Sequence, residues 1–141
     1  MKAPGLVLCA LLLVTPDAGA TEKYWAVHEA DLIVVGTIHQ GATFPWFDGW
    51  HVWGSIDVDA TLFGPRVPRQ IAYRFVCRWD QLCRCWPPPR FRDFHIQKAV
   101  WLLRPAGNQT WKPSLSGDNY AGFWALSGRA DVGNYIRLNK H

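Results

Sequence analysis

The sequence holds little charge and no strong excess of either sign. Charged residues make up 18% of its 141 positions, apolar residues 49%, and the net charge is only +4. That balance excludes a disordered or coiled-coil chain, and it does not demand nucleic acid or an anionic membrane as partner. Long apolar runs are missing too. Beyond the N-terminus no segment reaches the roughly 18 consecutive apolar residues of a spanning helix. There is no internal repeat, and Pro87-Pro88-Pro89 is the one low-complexity stretch. Catalytic signatures are also absent: no C-x-x-C, no H-E-x-x-H, no Gly-rich phosphate loop and no local Ser-His-Asp pattern. At this length a single compact domain is expected.

What is abundant is aromatic. Nine Trp, seven Phe and four Tyr are present, all beyond residue 20. Residues 1–20 read as a cleaved secretory signal: Lys2 is a short positive region, Leu6–Val14 an apolar one, and Ala18-Gly19-Ala20 an A-x-A cleavage site before Thr21. Cys9 would leave with the signal. The expected product, residues 21–141, is a secreted or periplasmic domain with no transmembrane segment, and its net charge is unchanged.

Alternation along that domain predicts strands. Thr21–Ala30 has weak helical character, with Glu22 suited to a first turn. Leu32–Ile38 is a near-continuous β-branched run, the pattern of a strand covered on both faces. Gly41–Gly49, with Pro45 and Asp48-Gly49, reads as a loop. In Trp50–Phe63, Trp50, Val52, Gly54, Ile56, Val58, Ala60 and Leu62 share one phase, opposite His51, Trp53, Ser55, Asp57, Asp59 and Thr61. Gly64-Pro65 ends that strand. Gln70–Arg78 alternates again, Asp80–Asp93 is irregular, Ala99–Leu103 is a buried strand, and Pro105–Asn119 reads as a loop. Tyr120–Leu126 is a fifth strand, and Arg129–Leu138 an irregular tail, either a short helix or a last strand. Five strands and a short helix suit a small closed or partly closed antiparallel barrel, which leaves no exposed sheet edge.

The runs Ala30–Ile38, Ile56–Gly64 and Val100–Leu103 resemble, in order, three strands of a group of secreted bacterial proteins. Those proteins build an OB-like barrel similar to the netrin/tissue-inhibitor-of-metalloproteinase module. The resemblance spans about residues 28–104 and implies an all-β, five-stranded antiparallel OB-like barrel rather than an activity. In inhibitors of that type a cysteine at the mature N-terminus chelates the target's zinc. Thr21-Glu22-Lys23 stands there instead and the disulfide framework is missing, so metalloproteinase inhibition is not carried over.

Cys77, Cys83 and Cys85 are spaced C-x5-C-x-C. In an oxidising compartment Cys77 would pair with Cys83 or Cys85, leaving one thiol over. Three thiolates completed by His95 would be a metal site at an unfavourable spacing. A thiol activated by Arg78 or Arg84 would be redox or catalytic. A buried cysteine that only packs is the fourth possibility.

Seven arginines fall between Arg66 and Arg92, interleaved with Trp79, Trp86, Phe91 and Phe94. That composition can stack bases and clamp anions, or form a solvated face whose arginines pair with Asp57, Asp59 or Asp93 and stack on tryptophan. Trp50 and Trp101 fall on core phases, Trp53 on a polar phase, and Trp46, Trp79, Trp86 and Trp111 in loops, where they suit sugar stacking, a protein interface or barrel capping. Asn108-Gln109-Thr110 is a glycosylation sequon, and Asp57 and Asp59 share a strand face.

The expectation is therefore a non-catalytic binding module for a protein or an anionic or glycan surface. Arg78, Trp79, Arg84, Trp86, Arg90 and Trp53 are its candidate contacts, with no cofactor, no metal and no catalytic residue. Two other classes stay open: a thiol- or metal-dependent enzyme, and an OB protein that binds single-stranded nucleic acid.

Overall fold

The computed structural model describes residues 18–78, 98–114 and 123–140. They form helix α1 (Ala18–Glu29), strands β1 (Leu32–Trp46), β2 (Gly49–Phe63), β3 (Gln70–Arg78), β4 (Lys98–Pro105), β5 (Thr110–Pro113) and β6 (Phe123–Ala125), a 3-10 turn and helix α2 (Arg129–Asn139). The fold is mostly β, with a short helix at either end. The strands make one sheet in the order β1-β2-β3-β5-β4-β6, and β1 also pairs with β4, so the pairings close a ring over β1, β2, β3, β5 and β4.

Several expectations need correction. Gly41–Gly49 is not a loop: β1 runs on to Trp46 and turns into β2 through Phe47-Asp48 alone. Thr110–Pro113 is a strand inside the expected Pro105–Asn119 loop, and it lies parallel to β3, so the sheet is not wholly antiparallel. The sheet has six strands rather than five. Of the expected Tyr120–Leu126 strand, Phe123–Ala125 pairs with β4. The tail is neither irregular nor a strand but α2.

The apolar run of β1 faces two cores, as its lack of alternation implies. Leu32, Val34 and Ile38 join Trp50, Val52, Ile56, Ile71, Tyr73, Phe75, Cys77, Ala99, Trp101 and Leu103 within the ring. Ile33 and Val35 join Val100 and Leu102 on the opposite face, under Ala26, Val27 and Ala30 of the α1 segment and Val132 of α2. The single-phase reading of β2 fails at its end. Register shifts between Val35 and Gly36 and between Ile33 and Val34 each leave an extra residue on β2. One extra residue reverses which face the following side chains take. Val58 therefore packs on the ring core, whereas Ala60, Leu62 and Phe63 pack on the helix-side core.

Trp101 ties the ring together. Its ring packs against Tyr73 at 5.7 Å and Phe123 at 5.6 Å between centroids, and its indole N–H donates to the Gly36 carbonyl at 2.9 Å. Gly36 lies at the shift after Val35, where a Cβ would come within 2.4 Å of the Asp57 carbonyl oxygen. No residue with a side chain fits there without moving β2.

Two long-range polar contacts dock α1. The buried Ser114 hydroxyl donates to the Ala26 carbonyl at 2.7 Å while its backbone N–H donates to Leu102 at 2.9 Å. Lys140, just after α2, donates to the carbonyls of His28 and Ala30 at 2.6 and 3.0 Å. A cation there satisfies orphan carbonyls and offsets the partial negative charge at the end of α1. Partial burial lowers the Lys140 pKa, opposed by Asp31 and Glu29.

Two outcomes are expected. Ser114→Ala removes one of two donors to the Ala26 carbonyl, which keeps the Ala30 N–H at 3.1 Å, and costs about 0.5–1.5 kcal/mol in urea titration. Burial pushes the Tyr73 hydroxyl far above its ordinary pKa of 10.0. The unfolded chain then loses this proton near pH 10 while the folded chain keeps it, so stability falls above pH 10 by roughly 1.4 kcal/mol per pH unit from this group. Urea midpoints measured between about pH 9 and 11.5 should drop less steeply for Tyr73→Phe than for the wild type; equal slopes would remove Tyr73 from the alkaline transition.

Candidate functional site

The outer face of β2 and β3 carries no helix among the described residues, and its side chains follow from pairing register. Trp53 stands opposite Arg74, Ser55 opposite Ala72 and Asp57 opposite Gln70, while Gly54, Ile56, Ile71 and Tyr73 take the inward phase between them. The polar phase read from the sequence is thus a surface over Trp53, Ser55 and Asp57, whereas His51 on the same phase is buried.

The Arg74 guanidinium lies 5.1 Å from the centroid of the half-exposed Trp53 ring. This is the arginine-on-tryptophan stack that the arginine stretch allowed, contributing about 0.5–1 kcal/mol at an exposed site. Beyond it, Gln70 donates from Nε2 to Ser55 Oγ and to Asp57 Oδ1, each at 3.3 Å. His39 Nε2 lies 2.7 Å from Asp57 Oδ2. Asp59 turns elsewhere, to Lys98 Nζ at 2.9 Å. Asp57 and Asp59 therefore do not act as a pair, because the shift beside Gly36 separates them. Among the described residues no group of three potential metal ligands comes together.

The parallel pairing of Ala72 with Thr110 and Tyr73 with Trp111 brings the β4–β5 turn beside β3. Gly107, Asn108 and Gln109 all adopt left-handed φ values, 81°, 49° and 59°. Glycine and asparagine tolerate that region and glutamine does so at a cost. Two backbone bonds close the turn, Ala106 N–H to Thr110 O at 2.7 Å and Thr110 N–H to Gly107 O at 2.9 Å. Between this turn and the sheet lies a cleft of about 600 Å³, lined among others by Ser55, Gln70, Asn108, Gln109, Ala72 and Trp111. Its floor is partly apolar and its polar groups are mainly side-chain amides and a hydroxyl. Those groups donate and accept without carrying charge.

At the other end of the face, the β1–β2 turn is pinned by His51. The imidazole is buried, stacks on Phe44 at 5.5 Å between centroids and places Nε2 2.7 Å from Asp48 Oδ1. The hydrogen bond from His51, ahead of partial desolvation, holds the Asp48 carboxyl below its ordinary value.

Of the contacts expected from the sequence, Trp53 is on this face. Arg78 ends β3 opposite Gly49, while Trp79, Arg84, Trp86 and Arg90 lie outside the described residues. Cys77 is fully buried in the ring core; Cys83, Cys85 and His95 lie outside the described residues. Trp50 and Trp101 are core residues as their phases implied. Trp111, expected in a loop, is a β5 residue forming one wall of the cleft. Ser55, Gln70, Asn108 and Gln109 were not singled out as contacts. The first two sat on the polar phases of strands whose pairing was unknown, and the last two in a sequon read only as a modification signal. No family model matches this chain, and no curated protein matches it.

Proposed function

We propose that the chain is a secreted or periplasmic, non-catalytic binding module built as an OB-like barrel, and that its β2–β3 face takes a glycan. The closed ring of pairings, with β3 parallel to β5, supports the barrel. Ligands of such barrels lie across the second and third strands, between the loop joining the first two strands and the loop joining the last two. The cleft between β2, β3 and the Gly107–Gln109 turn is the observation that carries the ligand class. A sugar offers hydroxyls that must be met by groups able both to donate and to accept, and a C–H face that stacks on an aromatic ring. Gln70, Asn108, Gln109 and Ser55 supply the first, and Trp111 in the cleft, with Trp53 outside its lining on the same face, supplies the second. The cleft lining holds no charged side chain among the described residues, and Arg74 and Asp57 stand beside it with opposite signs, which favours a neutral or weakly acidic glycan over a polyanion.

The secreted location rests on residues 1–20 read as a signal. Cleavage after Ala20 would remove only the first turn of α1 and leave Ala26 and Val27 docked. In that compartment Cys77 pairs with Cys83 or Cys85. Non-reducing mass spectrometry of residues 21–141 should find one disulfide and one free thiol; three free thiols would refute the pairing.

Titration of the mature protein with a panel of neutral and acidic hexasaccharides tests the ligand class. At least one should bind, with little change in affinity between low and high salt, and Trp53→Ala and Gln70→Ala should each weaken it about tenfold, a loss near 1.4 kcal/mol. Failure of the whole panel, or binding indifferent to both variants, would sink the proposal. Steeply salt-dependent binding of a single-stranded oligonucleotide would move the face to the nucleic-acid class instead.

A further inference from the structure

A second cavity lies on the helix side of the molecule, between α1 and α2. Tyr24, Trp25 and His28 of α1 and Tyr135 of α2 line it, and its volume is about 250 Å³. That is below the roughly 300–1,000 Å³ of sites for drug-sized ligands, so it suits one compact group. Ala26 and Val27 are buried in the helix-side core, which leaves Tyr24, Trp25 and His28 on the outer side of α1. Tyr24 stacks on Tyr135 with centroids 5.3 Å apart and planes 28° apart, while Trp25 stands edge to face with His28 at 6.1 Å and 87°. Tyr24 also meets Trp124, itself packed on the helix-side core, at 5.4 Å. The rings are therefore held by one another and by the core, in walls of different orientation.

The lining selects its occupant. Each of the four lining residues carries an aromatic ring, and none is aliphatic. Ring faces are electron-rich and attract cations, tryptophan most strongly. An alkyl group alone would be served equally well by leucine or valine. A sugar would need the amides and hydroxyls that the β2–β3 cleft has and this cavity lacks. A primary ammonium brings N–H donors that would give up water for few acceptors in return. A trimethylammonium group has no N–H to satisfy, and its methyl groups present the charge to the ring faces. Aromatic cages of this composition suit quaternary ammonium ions for that reason.

The surrounding charge has the matching sign. The cage spans the last turns of α1, toward the negative end of the helix dipole. On each helix a carboxylate stands one turn from a lining ring, Glu29 after Trp25 and Asp131 before Tyr135. The ion pair of Glu29 with Arg104 is long, at 4.0 Å, and leaves much of that negative charge uncompensated. Lys140, the basic group at this end of α1, is engaged by the His28 and Ala30 carbonyls and lies 4.5 Å from the centroid of the Phe63 ring. A cation held by carbonyls and a ring is thus already part of this seam. Cleavage after Ala20 would place the new α-amino group one turn before Tyr24, at the opposite end of the cage from His28.

We propose that the cage of Tyr24, Trp25, His28 and Tyr135 binds the trimethylammonium group of a choline-type ligand. The site shares no residue with the β2–β3 cleft, so the two readings fail separately. Titration of the mature protein with choline, and with its uncharged tert-butyl analogue in which carbon replaces nitrogen, is the test, read by proton NMR of the ligand methyl groups. The choline methyl signal should move upfield saturably under the ring currents, and choline should bind about tenfold more tightly than the analogue. Trp25→Leu keeps apolar bulk and removes a ring face, and should weaken choline about tenfold, whereas Trp25→Phe should stay within about threefold of the wild type. Trp25 is 56% exposed, so its replacement leaves the fold intact, which far-UV circular dichroism checks. Tyr135→Leu is the second variant and should weaken choline in the same direction. Trp53→Ala should bind choline as the wild type does. No saturable shift with choline, or equal choline binding by the wild type and both leucine variants, overturns the proposal. Equal affinity for choline and the uncharged analogue overturns it too, and assigns the cavity to an apolar contact with a protein partner.

Discussion

The structure depends on β1 being buried on both faces. A strand shared between two cores cannot alternate apolar with polar residues, and Leu32 to Val35 do not. The rest of the sheet must then accommodate it. Its partner β2 begins in the ring core with Trp50 and Val52 and ends in the helix-side core with Leu62 and Phe63. A regular strand cannot change faces. The two register shifts opposite Ile33–Gly36 let it do so, and they require Gly36, where β2 comes too close for a Cβ. Trp101 then covers Gly36 and takes its carbonyl as acceptor. One constraint thus explains the glycine, the irregular pairing and the placement of the largest core side chain.

Both helices are consequences of the same constraint. Ile33, Val35, Val100 and Leu102 would otherwise form an apolar patch on the outside of the ring, and Ala26, Val27 and Val132 close over it. Neither helix is long enough to be stable by itself. Packing and two polar ties, from Ser114 and Lys140, hold them in place. With α1 and α2 committed to the β1–β4 side, the outer side of β2 and β3 carries none of the described helices. It is there that Trp53, Arg74, Ser55, Gln70 and Asp57 line up, and the candidate cleft lies on the side that the helices do not cover.

The face and the hairpin tip divide the aromatic load by chemistry. Trp53 and Trp111 border groups that make directional hydrogen bonds, as a polyhydroxylated ligand would require. Trp46 contacts both Phe44 and Phe47, and His51, held by Asp48, stacks behind Phe44.

Much of the fold was legible because the periodicity of β1, β2, β3 and β4 is set locally by which side chains must leave water. The burial of Trp50 and Trp101, the wet phase holding Trp53, and the two-sided burial of Leu32–Ile38 all follow from that. The β1–β2 turn was misread because Gly41, Pro45 and Asp48-Gly49 carry loop chemistry, while the cross-strand partners that extend the ladder past them, such as Phe44 with His51, are not a local property. Thr110–Pro113 was misread for a similar reason, four residues being too few for a periodic signal, and α2 stayed open between helix and strand because Asp131 and Gly133 weaken a helix that packing against α1 restores. The candidate cleft was the least legible part. Gln70 meets Asp57 and Ser55 only through strand register, and Asn108 and Gln109 reach β3 only through a parallel pairing between strands far apart in the chain. Sequence by itself determined most of the buried apolar residues of β1, β3 and β4, since hydrophobic transfer acts residue by residue, while the burial of His51 and the change of face in β2 came with pairing. Tertiary structure decided which exposed residues are neighbours, since that depends on register, bulges and strand order.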